Sequence, residues 1–320
     1  MIGVLGAGAF GTALAIALAR AGRDVTLWAR DAELAGQMQV GRRTRHHLPG
    51  FDLPDTVYAT ADMARLSGAE AVLLTVPMQA LRDVLQADAA RLAGTALVAC
   101  CKGLDLATLT GPAEVVAAAC PGDVVAVLTG PGFAADIAQG MPTALTLACR
   151  NAAAGATLQS LLSTPVLRLY RTTDVIGAEL GGGLKNIMAI ACGVCIGAGL
   201  GESARAALVA RGFAEMQRLA RHLGARSETL MGLSGLGDLV LTCTSVQSRN
   251  FRYGMALGRG EDFAAGVTVE GIATARAVAA LAVRQGVELP VTEAVAGLVD
   301  GRHDVAGALQ SLLDRPLKKE

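Results

Sequence analysis

Short apolar runs at 2–5, 25–28, 71–76, 96–101, 124–129 and 144–148 punctuate the first half of the chain, with helical stretches between them. Polar groups rarely interrupt these runs. A strand that shows one face to water alternates apolar and polar positions, so unbroken runs predict parallel strands covered on both faces. Gly, Pro or a charged residue follows most of them. Strands that alternate with helices predict βαβ units and an α/β, doubly wound parallel sheet. The first helix reads as about residues 11–20, with Gly22 as its C-terminal stop.

The pattern changes after about Thr173. Helical periodicity takes over, and the segment 203–223 puts Leu208, Gly212, Met216, Leu219 and Leu223 on one face, with Arg205, Arg211, Arg218 and Arg221 largely elsewhere. Segments 270–285 and 291–299 also read as helices, one ended by Gly286 and the other begun by Pro290. This predicts an N-terminal domain over 1–175 and an all-α substrate and catalytic domain over 176–320. Segments 1–19 and 187–201 carry no charge. Glycines break up the first, and the second is shorter than the roughly 20 residues that cross a bilayer. The expectation is a buried helix at 187–201, no stable membrane insertion and a cytoplasmic location.

Composition narrows the classes. The chain has 320 residues, 52% hydrophobic, with a formal net charge of zero. No basic excess points to nucleic acid or an acidic membrane surface. Arg42, Arg43, Arg45, His46 and His47 form a basic loop, read as solvated rather than as a nucleic-acid patch. The seven cysteines are odd in number and mostly sit in apolar runs, so no disulfide framework is expected. Cys192 and Cys195 have redox-motif spacing, but small residues one turn apart in a buried helix explain it better. No metal-ligand spacing exists, and no metal is expected.

Gly6-Ala7-Gly8-Ala9-Phe10-Gly11 lies where the first strand meets the first helix. The first glycine permits a tight turn, the second lets backbone approach a pyrophosphate, and the third lets helix and strand pack closely. A Rossmann-like dinucleotide site follows from that context. Arg30, just past the second strand, stands where an acidic residue would select the free 2′-hydroxyl of NAD. A guanidinium suits the 2′-phosphate of NADP, so NADP is the preferred cofactor and NAD the other. Other candidates follow later strands: Lys102 after 96–101, and Gly130-Pro131-Gly132 after 124–129. Ligands of open α/β sheets bind outside the carboxyl ends of strands.

In the second domain, Gly181-Gly182-Gly183-Leu184-Lys185-Asn186 leads into the uncharged helix. Lysine is rarely buried without a role or a partner, and desolvation would ready Lys185 for proton transfer. Asp238 follows Gly235 and Gly237, and Ser248-Arg249-Asn250 carries donors for a phosphate. Glu270 reads as a charge at a helix N-terminus.

Taken in order, these segments resemble the bacterial glycerol-3-phosphate dehydrogenases along nearly the whole chain. The resemblance is carried by the Gly6–Gly11 region, Leu27-Trp28-Ala29-Arg30, Lys102-Gly103-Leu104-Asp105, Gly130-Pro131-Gly132-Phe133-Ala134, the glycine-lysine-asparagine segment, the 236–244 segment, Gln247-Ser248-Arg249-Asn250 and Val269-Glu270-Gly271. It implies hydride transfer with NAD(P) between sn-glycerol 3-phosphate and dihydroxyacetone phosphate, a small phosphorylated substrate, a role in glycerophospholipid metabolism and a homodimer. It also implies Lys185 as the general acid/base, Lys102 as a contact to substrate and cofactor, and Asp238 at the active site, with Thr242 nearby. Gly130, Gly132, Ser248, Arg249 and Asn250 would bind substrate. Gly6, Gly8, Ala9, Phe10, Gly11, Arg30, Lys102, Ala134, Arg249, Thr268 and Glu270 would bind cofactor.

The chain departs from the family pattern at two of these positions. Gly132 replaces the usual Ser or Thr, so only its N–H remains to contribute there. Thr268 replaces a branched apolar residue. Two other readings stand beside this one. A two-domain hydroxyacid dehydrogenase of the ketopantoate reductase kind usually spaces its lysine and asparagine by about a helical turn, whereas here they are adjacent. A non-catalytic NADP-sensing protein would have lost the lysine or the phosphate cluster.

Overall fold

The computed structural model describes residues 1–44, 47–264 and 266–313; Arg45 and His46 of the basic loop lie outside the described residues. The chain divides into two compact units. One comprises Met1–Lys102 and Thr110–Glu179, the other Gly103–Leu109 and Leu180–Glu320.

The first unit runs β1 (Ile2–Leu5), α1 (Ala9–Arg20), β2 (Val25–Trp28), α2 (Ala32–Gly41), the short strands β3 (Arg43–Thr44) and β4 (Phe51–Asp52), then β5 (Val57–Thr60) and β6 (Ala71–Leu74). It continues with α3 (Met78–Leu92), β7 (Ala96–Ala99), α4 (Pro112–Ala119), β8 (Val125–Thr129), α5 (Ala134–Gln139), β9 (Thr143–Cys149), α6 (Ala152–Leu162) and β10 (Leu167–Thr172). The main sheet has eight strands in the order β10-β9-β8-β7-β6-β1-β2-β5. Its pairings are parallel except that β9 runs antiparallel to β8. Chain order reverses at β1, so the switch point of this doubly wound sheet lies between β1 and β6. One face buries Val4, Leu27 and Val98 with Leu14 and Ile16 of α1. The other buries Leu5, Leu74 and Leu97 with Leu81 and Leu85 of α3.

Two strands of this sheet are not among the apolar runs. β5 and β10 are its edges, and Tyr58 and Tyr170 on them are exposed. An edge strand is covered less completely, so its sequence alternates instead of running apolar. One expectation needs correction at a single residue. Arg43 and His47 of the basic loop are exposed, but Arg42 is half-buried: it sits at φ +49 after α2 and donates to the carbonyls of Val57, Leu53 and Pro54. Its guanidinium thereby closes the loop between α2 and β5.

The second chain segment is helical among the described residues: α7 (Val175–Gly197), α8 (Glu202–His222), α9 (Ser227–Met231), a π-helical turn at Leu233–Gly237, α10 (Asp238–Thr244), α11 (Arg249–Arg259), α12 (Glu270–Gln285), α13 (Pro290–Val299) and α14 (Val305–Leu313). The unit boundary falls inside α7, after Glu179. α7 is long and apolar enough to cross a bilayer, but 89% of its most apolar window is buried. Backbone meets backbone where α7 crosses α11. A Cβ on Gly193 would stand 2.2 Å from Phe251 O, and one on Gly254 would stand 2.2 Å from Ile190 O. The cysteines are buried and none is in a disulfide among the described residues, Cys192 and Cys195 included. Burial pushes the Cys195 thiol up, which disfavours the reactive thiolate.

Glu215 on α8 is buried and accepts from the N–H groups of Val291 and Thr292 at the start of α13. Burial pushes its carboxyl up to about 7, against those hydrogen bonds. The folded protein therefore holds a proton between about pH 4.5 and about pH 7 that the unfolded chain has released, and stability falls as pH rises through that window. Glu215→Gln is expected to shrink the fall in Tm between about pH 5 and about pH 8 by about 3 °C or more. Thermal melts of both proteins across that range check it, and parallel slopes would remove Glu215 as the source.

Candidate active site

The glycine turn is built for close approach. Gly6 sits at φ +128, and its N–H donates to Trp28 O at 3.0 Å. A Cβ on Gly11 would stand 2.1 Å from Gly6 O and 2.3 Å from Thr75 Oγ1, so α1 can start here only without a side chain. Gly8 is the N-cap of α1 and contributes no side-chain hydrogen bond, and a Cβ there would meet nothing within 4 Å. Open space before an uncapped helix N-terminus, with Ala9 and Phe10 in its first turn, fits a dinucleotide pyrophosphate. Thr75, absent from the sequence-derived site, ties the turn together. Its Oγ1 donates to Gly6 O at 2.8 Å, bridging the ends of β1 and β6. The available signal was that it is the one polar residue inside the apolar run 71–76.

Arg30 is exposed directly after β2. Asp31 beside it caps α2, its Oδ1 accepting from Glu33 N at 2.9 Å and Leu34 N at 3.2 Å. The carboxylate is thus engaged by its own helix, and the guanidinium is the group left to meet a ribose substituent. The Lys102 ammonium lies 5.9 Å from the centre of the Phe10 ring, within cation–π range. Gly130 sits at φ +139 beside Leu145. A Cβ on Gly132 would stand 3.1 Å from Thr143 Cγ2 and 3.2 Å from Ile137 Cδ1, so the hydroxyl-free residue suits the local packing. Ala134 opens α5, after Phe133.

In the second unit, Lys185 Nζ and Asp238 Oδ1 are 2.5 Å apart, with side chains 9% and 1% exposed. The carboxylate balances the charge of a buried ammonium, which is costly to leave unpaired. The glycines before Lys185 have separate reasons. A Cβ on Gly181 would stand 2.4 Å from Ser234 O, and one on Gly183 would stand 3.0 Å from Gly103 Cα. Next to Lys185, the side-chain nitrogen of Asn186 is buried without a partner.

Thr242 Oγ1 and Ser248 Oγ are 2.8 Å apart, and Ser248 also caps α11 by accepting from Phe251 N. Asn250 Oδ1 accepts from Gly271 N at 3.0 Å, which leaves its amide nitrogen as the donor end. Arg249 is exposed and reaches Thr268 O at 3.5 Å, two residues before Glu270 begins α12. The sequence-derived residues thus fall into two groups. Gly6 to Gly11, Arg30, Lys102, Gly130, Gly132 and Ala134 belong to the first unit. Lys185, Asp238, Thr242, Ser248, Arg249, Asn250, Thr268 and Glu270 belong to the second.

Known proteins match both units. The family described as NAD-dependent glycerol-3-phosphate dehydrogenase N-terminus matches residues 1–155, and the corresponding C-terminus family matches residues 174–310. The glycerol-3-phosphate dehydrogenase [NAD(P)+] of Cereibacter sphaeroides is 63% identical, with 100% of each chain covered. That of Paracoccus denitrificans is 61% identical over 100% of this chain and 99% of its own. A crystal structure of glycerol-3-phosphate dehydrogenase from Coxiella burnetii matches with a TM-score of 0.94 at 40% identity, covering 98% of each chain. The chain belongs to the NAD(P)-dependent glycerol-3-phosphate dehydrogenase family.

Proposed function

We propose that this chain reduces dihydroxyacetone phosphate to sn-glycerol 3-phosphate, with Lys185 as the proton donor and NADPH preferred over NADH. The observation that carries the reading is the buried Lys185–Asp238 pair, 2.5 Å apart. The nicotinamide of the bound cofactor supplies the hydride that reaches C2 of the substrate. As negative charge grows on the C2 oxygen, the Lys185 ammonium stabilises it and transfers a proton to that oxygen. Asp238 holds the ammonium in direction and balances its charge. Arg249 grips the substrate phosphate, converting remote binding energy into positioning. The amide nitrogen of Asn186 is suited to donate to a substrate oxygen, since a buried donor without a partner is costly and a ligand oxygen satisfies it. That of Asn250 is the donor end of a side chain whose oxygen is already engaged by Gly271 N. A homodimer in the cytoplasm that supplies glycerol 3-phosphate for phospholipid synthesis completes the reading.

The NADPH preference rests on Arg30, because the neighbouring Asp31 carboxylate is engaged in capping α2. Initial-rate oxidation of NADPH and NADH, run separately with dihydroxyacetone phosphate, tests the activity and the preference. Arg30→Ala is expected to raise KM for NADPH by about 10- to 100-fold, the worth of one charge-assisted contact, and to leave that for NADH nearly unchanged. Equal effects on both cofactors would place Arg30 away from the 2′-phosphate. Oxidation of neither by folded protein would sink the activity.

A further inference from the structure

Asp238 does not continue an ordinary α-helix. The residues before it, Leu233–Gly237, form a π-helical turn, closed by the N–H of Gly237 donating to Gly232 O five residues back. Such turns are rare. Gly232 before it is extended, with φ −88 and ψ −157, so the π-turn opens the helical run that α10 continues, and its conformation decides which way Asp238 faces.

The turn is seated tightly. A Cβ on Gly235 would stand 1.9 Å from Leu230 O. Ser234 is 1% exposed, its Oγ donates to Thr229 O at 3.3 Å, and its carbonyl lies where a Cβ on Gly181 would come within 2.4 Å. Gly181 and Lys185 are four residues apart on α7 and so share a face. Facing them, Ser234 meets Gly181 and Asp238 meets Lys185, again four residues apart. The close contact at one end of this double pair sets the register at the other.

We propose that the π-turn at Leu233–Gly237 is a positioning device that aims the Asp238 carboxylate at Lys185, with Ser234 and Gly235 as its positioning residues and Gly181 as its seat. The proposal rests on the roles of Lys185 and Asp238 given above. The turn touches neither substrate nor cofactor in this account; it acts only through Asp238.

That restriction makes it testable in a cycle of variants. Leu236 is exposed, and its side chain has no role in the device. Gly235→Ala cannot keep the turn, because its Cβ would stand 1.9 Å from Leu230 O, whereas Leu236→Ala keeps it. With dihydroxyacetone phosphate and NADPH, Leu236→Ala is expected to stay within about twofold of the parent kcat, while Gly235→Ala lowers kcat by about 100-fold, the cost of a misplaced group. NADPH affinity should not change, and the limb of the pH–kcat profile that Asp238→Asn alters should change in the same sense. In an Asp238→Asn background Gly235→Ala should cost almost nothing more.

Gly235→Ala with parent kcat would overturn the proposal, and so would an equal loss in both backgrounds. If Gly235→Ala does not fold, Gly181→Ala takes its place in the same cycle. It is expected to lose at least about 10-fold in kcat with Asp238 present and almost nothing with Asn there, and equal losses overturn the proposal. Asp238→Asn with parent kcat would remove the assigned role of Asp238 itself, a failure visible before any change is made to the turn.

Discussion

With Lys185 replaced by alanine, kcat for the reduction of dihydroxyacetone phosphate is expected to fall by about a thousandfold, within the range for losing a general acid. NADPH affinity should hold, because the glycine turn, Phe10 and Arg30 all belong to the first unit. Stability should fall as well. Lys185→Ala leaves the Asp238 carboxylate, 1% exposed, without its cation, and breaking a buried pair costs about 3–5 kcal/mol. Adding Asp238→Asn should restore most of the stability and none of the rate. Stopped-flow turnover, cofactor titration and thermal melts of the single and double variants separate these effects. A single variant with near-parental turnover would take the proton-transfer role away from Lys185.

Gly8→Ala is expected to raise Kd for NADPH by about 100-fold, close to 3 kcal/mol, while shifting Tm by only a few degrees. The reasoning is geometric. Gly8 has φ −72 and ψ 178, which alanine can adopt, and an added Cβ meets nothing within 4 Å. The methyl group would instead occupy the space before the α1 N-terminus that a pyrophosphate needs. Gly11→Ala is the informative contrast. There the added carbon meets Gly6 O at 2.1 Å, so it should damage folding before binding can be asked about. Fluorescence titration with NADPH, paired with melts, tells these apart. An unchanged Kd in folded Gly8→Ala would move the pyrophosphate away from this turn.

Much of the site could be read along the chain because its chemistry is local. A glycine turn between strand and helix uses consecutive residues, Gly6 to Gly11, and its backbone conformations limit what can stand there. Lys185 stood out because a lone cation in an apolar stretch needs a partner. The partner was harder to read. Asp238 is 53 residues further on, and the glycines before it mark a tight place without saying what approaches. Thr75 and Ser234 escaped for the same reason: a hydroxyl bonded to a distant carbonyl looks like any other small polar residue in the sequence.

The amino-acid sequence by itself determined the α/β first half, the helical second half, the extent of helices such as α12 and the likeness to a family. Burial on both sheet faces and helical periodicity leave one-dimensional traces, because each depends on spacing along the chain. Tertiary structure alone decided the edge strands β5 and β10, the reversal of β9, the capping of α13 by Glu215 and the π-turn before Asp238. Each of these depends on what lies across from a residue. A strand's direction is set by its neighbours, a carboxylate's role by the N–H groups it meets, and the conformation of a π-turn by the carbonyl that must fit against Gly181.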